Sequence, residues 1–155
     1  MSLTFTSEVD IQAKPDAFFA AFRDISAWGG WMQGLVSIEV LTTGAFGAGT
    51  QWRETRKMFG REASEVFEVT AWEPPRAVAL FVDGRKGRTG KGEFRFRYAV
   101  EPRAGGVTHV RMQGEVDMPG WFARLMARLF LGSFRKACER DLQALKAYLE
   151  RAARA

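Results

Sequence analysis

The residues best suited to chemistry sit on one short segment, Gln51-Trp52-Arg53-Glu54-Thr55-Arg56-Lys57-Met58. If it is extended, alternation puts Trp52, Glu54, Arg56 and Met58 on one face and Gln51, Arg53, Thr55 and Lys57 on the other. Two large apolar side chains then share a face with a carboxylate and a guanidinium. A buried charge is costly unless paired, and these two charges are close enough to pair. Such a pair can fix a ligand by hydrogen bonds inside an apolar interior. It can equally be a structural ion pair at the rim, or a bulge can turn both side chains outward, since curved sheets often bulge.

The other candidates are weaker. His109 is the only histidine, hence the only side chain whose ordinary pKa suits proton transfer near neutrality. Alternation groups it with Arg111 and Gln113, opposite Val110 and Met112, so it is expected in solvent and out of reach of a substrate proton. Cys138 falls on the apolar stripe of a C-terminal helix, where inert buried thiols belong. Gly132-Ser133 lacks the surroundings of a nucleophile elbow. One histidine and one cysteine cannot build a usual zinc site, and no acidic segment has calcium spacing; no metal and no other cofactor is expected. The segment from Gly84 to Gly92 has the look of a phosphate loop around Gly90-Lys91. Position 92 is glycine where serine or threonine is needed, however, and a strand follows in place of a helix. A mobile hairpin tip is the better reading.

Composition bounds the rest. The 155 residues are 46% apolar, with thirteen Phe and five Trp, enough for one core, and 1–155 reads as a single domain. A single cysteine excludes an intramolecular disulfide. No basic segment followed by an apolar run opens the chain, and no stretch approaches the roughly 18 apolar residues of a membrane span. A cytoplasmic monomer or homodimer is the expectation. The net charge of +5 and pI of 9.8 admit nucleic acid or an anionic membrane as partner. A solvated arginine-rich surface accounts for the charge better, so nucleic acid is not expected, while peripheral membrane contact stays open.

The elements that must hold these residues show in the periodicity. Leu3, Phe5, Val9 and Ile11 alternate with polar residues as in a half-buried strand. Lys14-Pro15-Asp16 opens a short helix that buries Phe18, Phe19 and Phe22, and Ser26 to Met32 reads as a second short helix or tight loop. Six strands are expected next, around 36–40, 50–58, 62–72, 77–82, 93–101 and 110–118, joined by short turns and therefore antiparallel. On the fifth of these Phe94, Phe96, Tyr98 and Val100 share a face. From Pro119 to about Arg151 apolar residues recur in steps of three and four, from Phe122 to Leu149, predicting one long helix with Pro119 in its first turn. Gly132 is the one weak point of that helix, a place where a bend can form.

Several segments fall in an order that resembles a known superfamily. They are Pro15-Asp16-Ala17-Phe18-Phe19, Trp28 with Trp31-Met32-Gln33-Gly34-Leu35-Val36, Gly49-Thr50, Glu73-Pro74-Pro75-Arg76, Gly106-Val107-Thr108 and Leu142-Gln143-Ala144-Leu145-Lys146. Across essentially its whole length the chain resembles the SRPBCC superfamily, the helix-grip fold of START lipid-transfer domains, the birch-pollen allergen and the polyketide cyclase/dehydrase-like proteins. The resemblance implies an α+β fold: a curved antiparallel sheet of about seven strands wrapped on the long C-terminal helix, with two short helices after the first strand. It also implies a pocket between helix and sheet. The residues expected to line that pocket are Trp28, Trp31, Trp52, Glu54, Arg56, Phe94, Phe96, Tyr98, Met112, Phe122, Phe130 and Phe134.

This fold hosts carriers, cyclases, hydrolases and regulators. The first expectation is binding of a hydrophobic small molecule, lipid-like or aromatic and polyketide-like. A polyketide cyclase or dehydratase is the second, with Glu54 as its acid–base group and Tyr98 as helper. The third is a membrane-associated lipid carrier that meets anionic lipid with its basic helix face and with Arg85, Lys86, Arg88 and Lys91.

Overall fold

The computed structural model describes residues 2–155. β1 (Leu3–Ile11) leads into α1 (Pro15–Arg23) and a 3-10 helix (Ile25–Gly30). β2 (Leu35–Val40), β3 (Gln51–Met58), β4 (Arg61–Glu73), β5 (Ala77–Asp83), β6 (Glu93–Arg103) and β7 (Val107–Asp117) follow, and α2 (Trp121–Arg154) closes the chain. The seven strands make one sheet in the order β1-β7-β6-β5-β4-β3-β2, each neighbouring pair antiparallel. Register shifts at Leu35/Ser37 and Val69/Ala71 supply the bulges that help such a sheet curve. The helix-grip architecture expected from the sequence is the one adopted.

One end of the molecule is filled by rings. α1, with Pro15 in its first turn, buries Phe18, Phe19 and Phe22. Trp28 meets Trp52 edge-on at 5.1 Å, Trp52 stacks on Phe67 at 5.4 Å, and Phe46 meets Trp72 at 4.9 Å. The Trp28 indole N–H donates to the carbonyls of Ala21 and Phe22 at 3.1 and 3.2 Å, so this buried donor is satisfied. Leu142, Leu145 and Leu149 join the core from α2. They are the only fully buried residues of its 34.

Three details differ from the sequence reading. α2 starts at Trp121, one residue after Gly120 (φ 77°), so Pro119 lies outside it, and it runs unbroken through Gly132. Its apolar residues do not form one stripe. Ala127, Leu131, Phe134 and Cys138 pack on the core, while Trp121, Phe122, Leu125, Leu129 and Phe130 are exposed. Residues two apart, such as Leu129 and Leu131, lie about 160° apart around a helix, so steps of three and four here trace two lines. Finally, the 84–92 segment is tied down where a free hairpin tip was expected. Arg88 N–H donates to the Ser64 carbonyl at 2.8 Å, and Thr89 gives its backbone N–H and its hydroxyl to Glu65 Oε1 at 2.8 and 2.6 Å.

Gly114 of β7 shows how tightly the sheet's inner face is used. A Cβ there would fall 2.1 Å from the Phe5 ring, which lies across it from the neighbouring strand. The missing side chain lets Phe5 reach Phe134 of α2, edge-on at 5.6 Å.

Candidate functional site

β3 keeps continuous register with β4 from Gln51 to Met58, so no bulge turns its inner residues outward. Glu54, 4% exposed, accepts a hydrogen bond on Oε2 from the Trp52 indole N–H at 3.3 Å. Its Oε1 lies 3.7 Å from Arg56 Nε. The guanidinium, however, is held mainly by the helix. Nη1 and Nη2 grip the two Asp141 oxygens at 2.7 Å each, and Nε and Nη2 donate to the Gln33 carbonyl at 3.1 and 2.6 Å. This forked geometry is the strong form of the arginine–carboxylate pair.

Two carboxylates therefore share one cation, and the buried one loses. Burial pushes the Glu54 carboxyl from 4.5 up to about 7, with Asp141 adding to the rise and Arg56 and the Trp52 hydrogen bond opposing it. Its neighbours feel the same low-dielectric setting. Burial pushes the Cys138 thiol up to about 12 and holds the Tyr98 phenol far above its ordinary range, the charge of Asp141 contributing to both. Of these three groups Glu54 is the one whose titration falls near neutral pH.

The open volume lies elsewhere along the same interface. A half-open cavity of about 300 Å³ is lined by Phe94, Val116 and Met118 of the sheet side and Phe122, Met126, Phe130, Leu131 and Phe134 of α2, with Lys91 as its one charged neighbour. Phe134 closes its inner end against Phe94 and Phe96, ring centroids 6.1 Å apart in each case. Beyond that wall the polar cluster begins: Tyr98 is two residues past Phe96 on β6, and Cys138 and Asp141 are the next turns of α2 after Phe134. Cavity and cluster are neighbours in one helix–sheet layer.

The structure divides the residues named from sequence. Phe94, Phe122, Phe130 and Phe134 surround the cavity. Glu54 and Arg56 meet in the polar cluster, while the Tyr98 ring packs on Phe18 and Phe22 at 6.1 and 5.4 Å. Trp28, Trp52 and Met112 are buried in the packed core, and Phe96 is buried behind Phe134. Trp31 is also buried, and its indole N–H has no acceptor among the described residues. His109 lies on the sheet's outer face, Nδ1 2.7 Å from Asp10 and Nε2 3.3 Å from Glu8, away from both cavity and cluster. Asp141, Met118 and Met126 were missed, and Lys91, named from sequence for lipid contact, borders the cavity. Asp141 had a signal, for it lies three residues after Cys138 and four before Leu145, on the buried side of the helix. No group of three or more ligating side chains suited to a metal ion is found among the described residues.

With this geometry in hand, known proteins can be compared. A family model described as polyketide cyclase / dehydrase and lipid transport matches residues 2–150. None of the curated proteins matches the sequence. Among solved structures, the Zhui aromatase/cyclase from a Streptomyces species is 14% identical, with 100% of this chain and 98% of that chain covered at a TM-score of 0.82. A START superfamily protein from Mycobacterium smegmatis is 15% identical over 96% of this chain and 98% of that one, at 0.73. The major latex-like protein 151 of Panax ginseng is 11% identical over 95% and 97%, at 0.77. At such identities the likeness speaks for the fold.

Proposed function

The chain belongs to the polyketide cyclase/dehydrase and lipid transport family, and from that premise we propose that it binds a hydrophobic small molecule, lipid-like or aromatic, between α2 and β6–β7. The observation that carries this reading is the cavity lining, apolar throughout except for Lys91. Such a site gains affinity from burial, at about 25 cal/mol for each Å² of apolar surface covered, and only weakly selects orientation. The test is titration with a neutral naphthylamine fluorophore. Saturable one-to-one binding is expected. Ala127→Trp, which fills the cavity from α2, should weaken it by at least about tenfold, or ~1.4 kcal/mol, at an unchanged melting temperature. Absence of saturable binding, or equal binding by the filled variant, refutes the proposal.

A second reading rests on Glu54. A carboxyl titrating at about 7 can give and take a proton at neutral pH, as cyclisation or dehydration of a polyketone requires. Arg56 and Asp141 would hold it in place, and a substrate seated in the cavity would have to displace the Phe134 ring to reach it. With a β-diketone surrogate, turnover that Glu54→Gln abolishes while fluorophore binding persists supports catalysis. Binding without turnover leaves carriage alone.

A further inference from the structure

The first half of α2 is apolar on two opposite sides. Ala127, Leu131 and Phe134 face the sheet, whereas Trp121 (77% exposed), Phe122 (60%), Leu129 (68%) and Phe130 (62%) project into solvent together with Leu125. A surface helix normally turns charge outward, and a contiguous bare patch of large apolar side chains marks a surface that something covers.

Charge says what covers it. From Trp121 to Lys136 there is no Asp or Glu, but there are Arg124, Arg128, Arg135 and Lys136. Arg135 pairs with Glu139 at 3.0 Å. Arg124, which donates to the Met118 carbonyl at 3.1 Å, has no carboxylate partner among the described residues, and neither do Arg128, Lys136 or Lys91 at the cavity rim. We propose that the outward face of Trp121–Phe130 docks on an anionic lipid surface, its rings and leucines entering the interface and Arg124, Arg128 and Lys136 lying at the phosphates. Aromatic and aliphatic side chains on one side with arginines along the flank is the pattern of a helix that lies in a membrane interface. A second copy of the chain fits less well, because a two-fold contact through this face would set its uncompensated cations against their own images. Phe122 and Phe130 border both the patch and the cavity, so docking places the cavity mouth against the acyl region.

The experiment is co-sedimentation with phosphatidylcholine vesicles, with and without phosphatidylglycerol. Trp28, Trp31 and Trp52 are buried and Trp72 is packed against the core, so Trp121, at 77% exposure, should dominate any blue shift of emission. Binding to the anionic vesicles is expected, released by high salt and absent from phosphatidylcholine alone. Arg124→Gln with Arg128→Gln should weaken it roughly thirtyfold, about 2 kcal/mol at ~1.4 kcal/mol per tenfold. Leu129→Glu, at an exposed position and thus expected to fold, should abolish it while leaving fluorophore binding in the cavity intact, so docking and cavity binding succeed or fail independently. No sedimentation with anionic vesicles at low salt, equal binding to neutral vesicles, or an unaffected Leu129→Glu variant overturns the proposal. A dimer that Leu129→Glu dissolves, without vesicle binding, also overturns it and assigns the face to a second copy.

Discussion

Replacing Glu54 with glutamine keeps an acceptor for the Trp52 N–H and removes a group that titrates differently in the folded and unfolded chain. The folded carboxyl titrates at about 7, against 4.5 in a free chain. Below the lower value both states are protonated and burial costs nothing extra. Between the two values the folded state keeps a proton that the unfolded state releases, so stability falls as pH rises, at about 1.4 kcal/mol per pH unit. Above the folded value the loss is complete, at about 3 kcal/mol. Glutamine cannot ionise and escapes this loss. The variant should therefore match the parent near pH ~4.5 and exceed its stability by about 3 kcal/mol near pH ~8. Urea unfolding of both proteins at the two pH values measures it, and the difference of differences cancels titrations common to both. Arg56→Met is the control. It strands two carboxylates without a cation and should cost about 3–5 kcal/mol, more than Glu54→Gln costs at either pH. A Glu54→Gln advantage that does not grow with pH would refute the assignment of Glu54 as the undercompensated member of the cluster.

Three further outcomes follow from the same structure. Asp141→Asn removes a charge that raises Glu54 and frees the Arg56 fork, so carbon-detected NMR titration should find the Glu54 carboxyl below its parent value of about 7; an unchanged or higher value contradicts the shared-cation account. Gly114→Ala forces a methyl to within 2.1 Å of the Phe5 ring, and thermal or urea unfolding should register an overpacking cost of about 1–3 kcal/mol. His109→Ala, on the outer face between Glu8 and Asp10, should leave fluorophore affinity in the cavity within about twofold of the parent, far short of the ~1.4 kcal/mol that tenfold represents.

Much of the fold is written locally. Alternation in β1, β3, β6 and β7 follows from the two-residue period of a strand, and it groups Glu54 and Arg56 with Trp52 and sets His109 opposite Val110 and Met112, while the unbulged register of β3 with β4 turns the pair inward. Joining such strands by short turns leaves an antiparallel sheet as the natural solution. Those inferences need only near neighbours. The partner of Arg56 is another matter, for Asp141 lies 85 residues away, and only the docking of α2 on the sheet decides that the guanidinium serves it before Glu54. The same docking decides which aromatic residues fill the core and which leave a hollow. Trp28 and Trp52 are packed ring against ring, while Phe94, Phe122, Phe130 and Phe134 line an open hollow, although all six are aromatic. α2 makes the reason plain. At 34 residues it is about 51 Å long, and its apolar periodicity announces one long helix without saying which of those residues face the sheet. Where its leucines seat on the curved sheet, and how far its first turns stand off from it, depends on surfaces brought together from opposite ends of the chain.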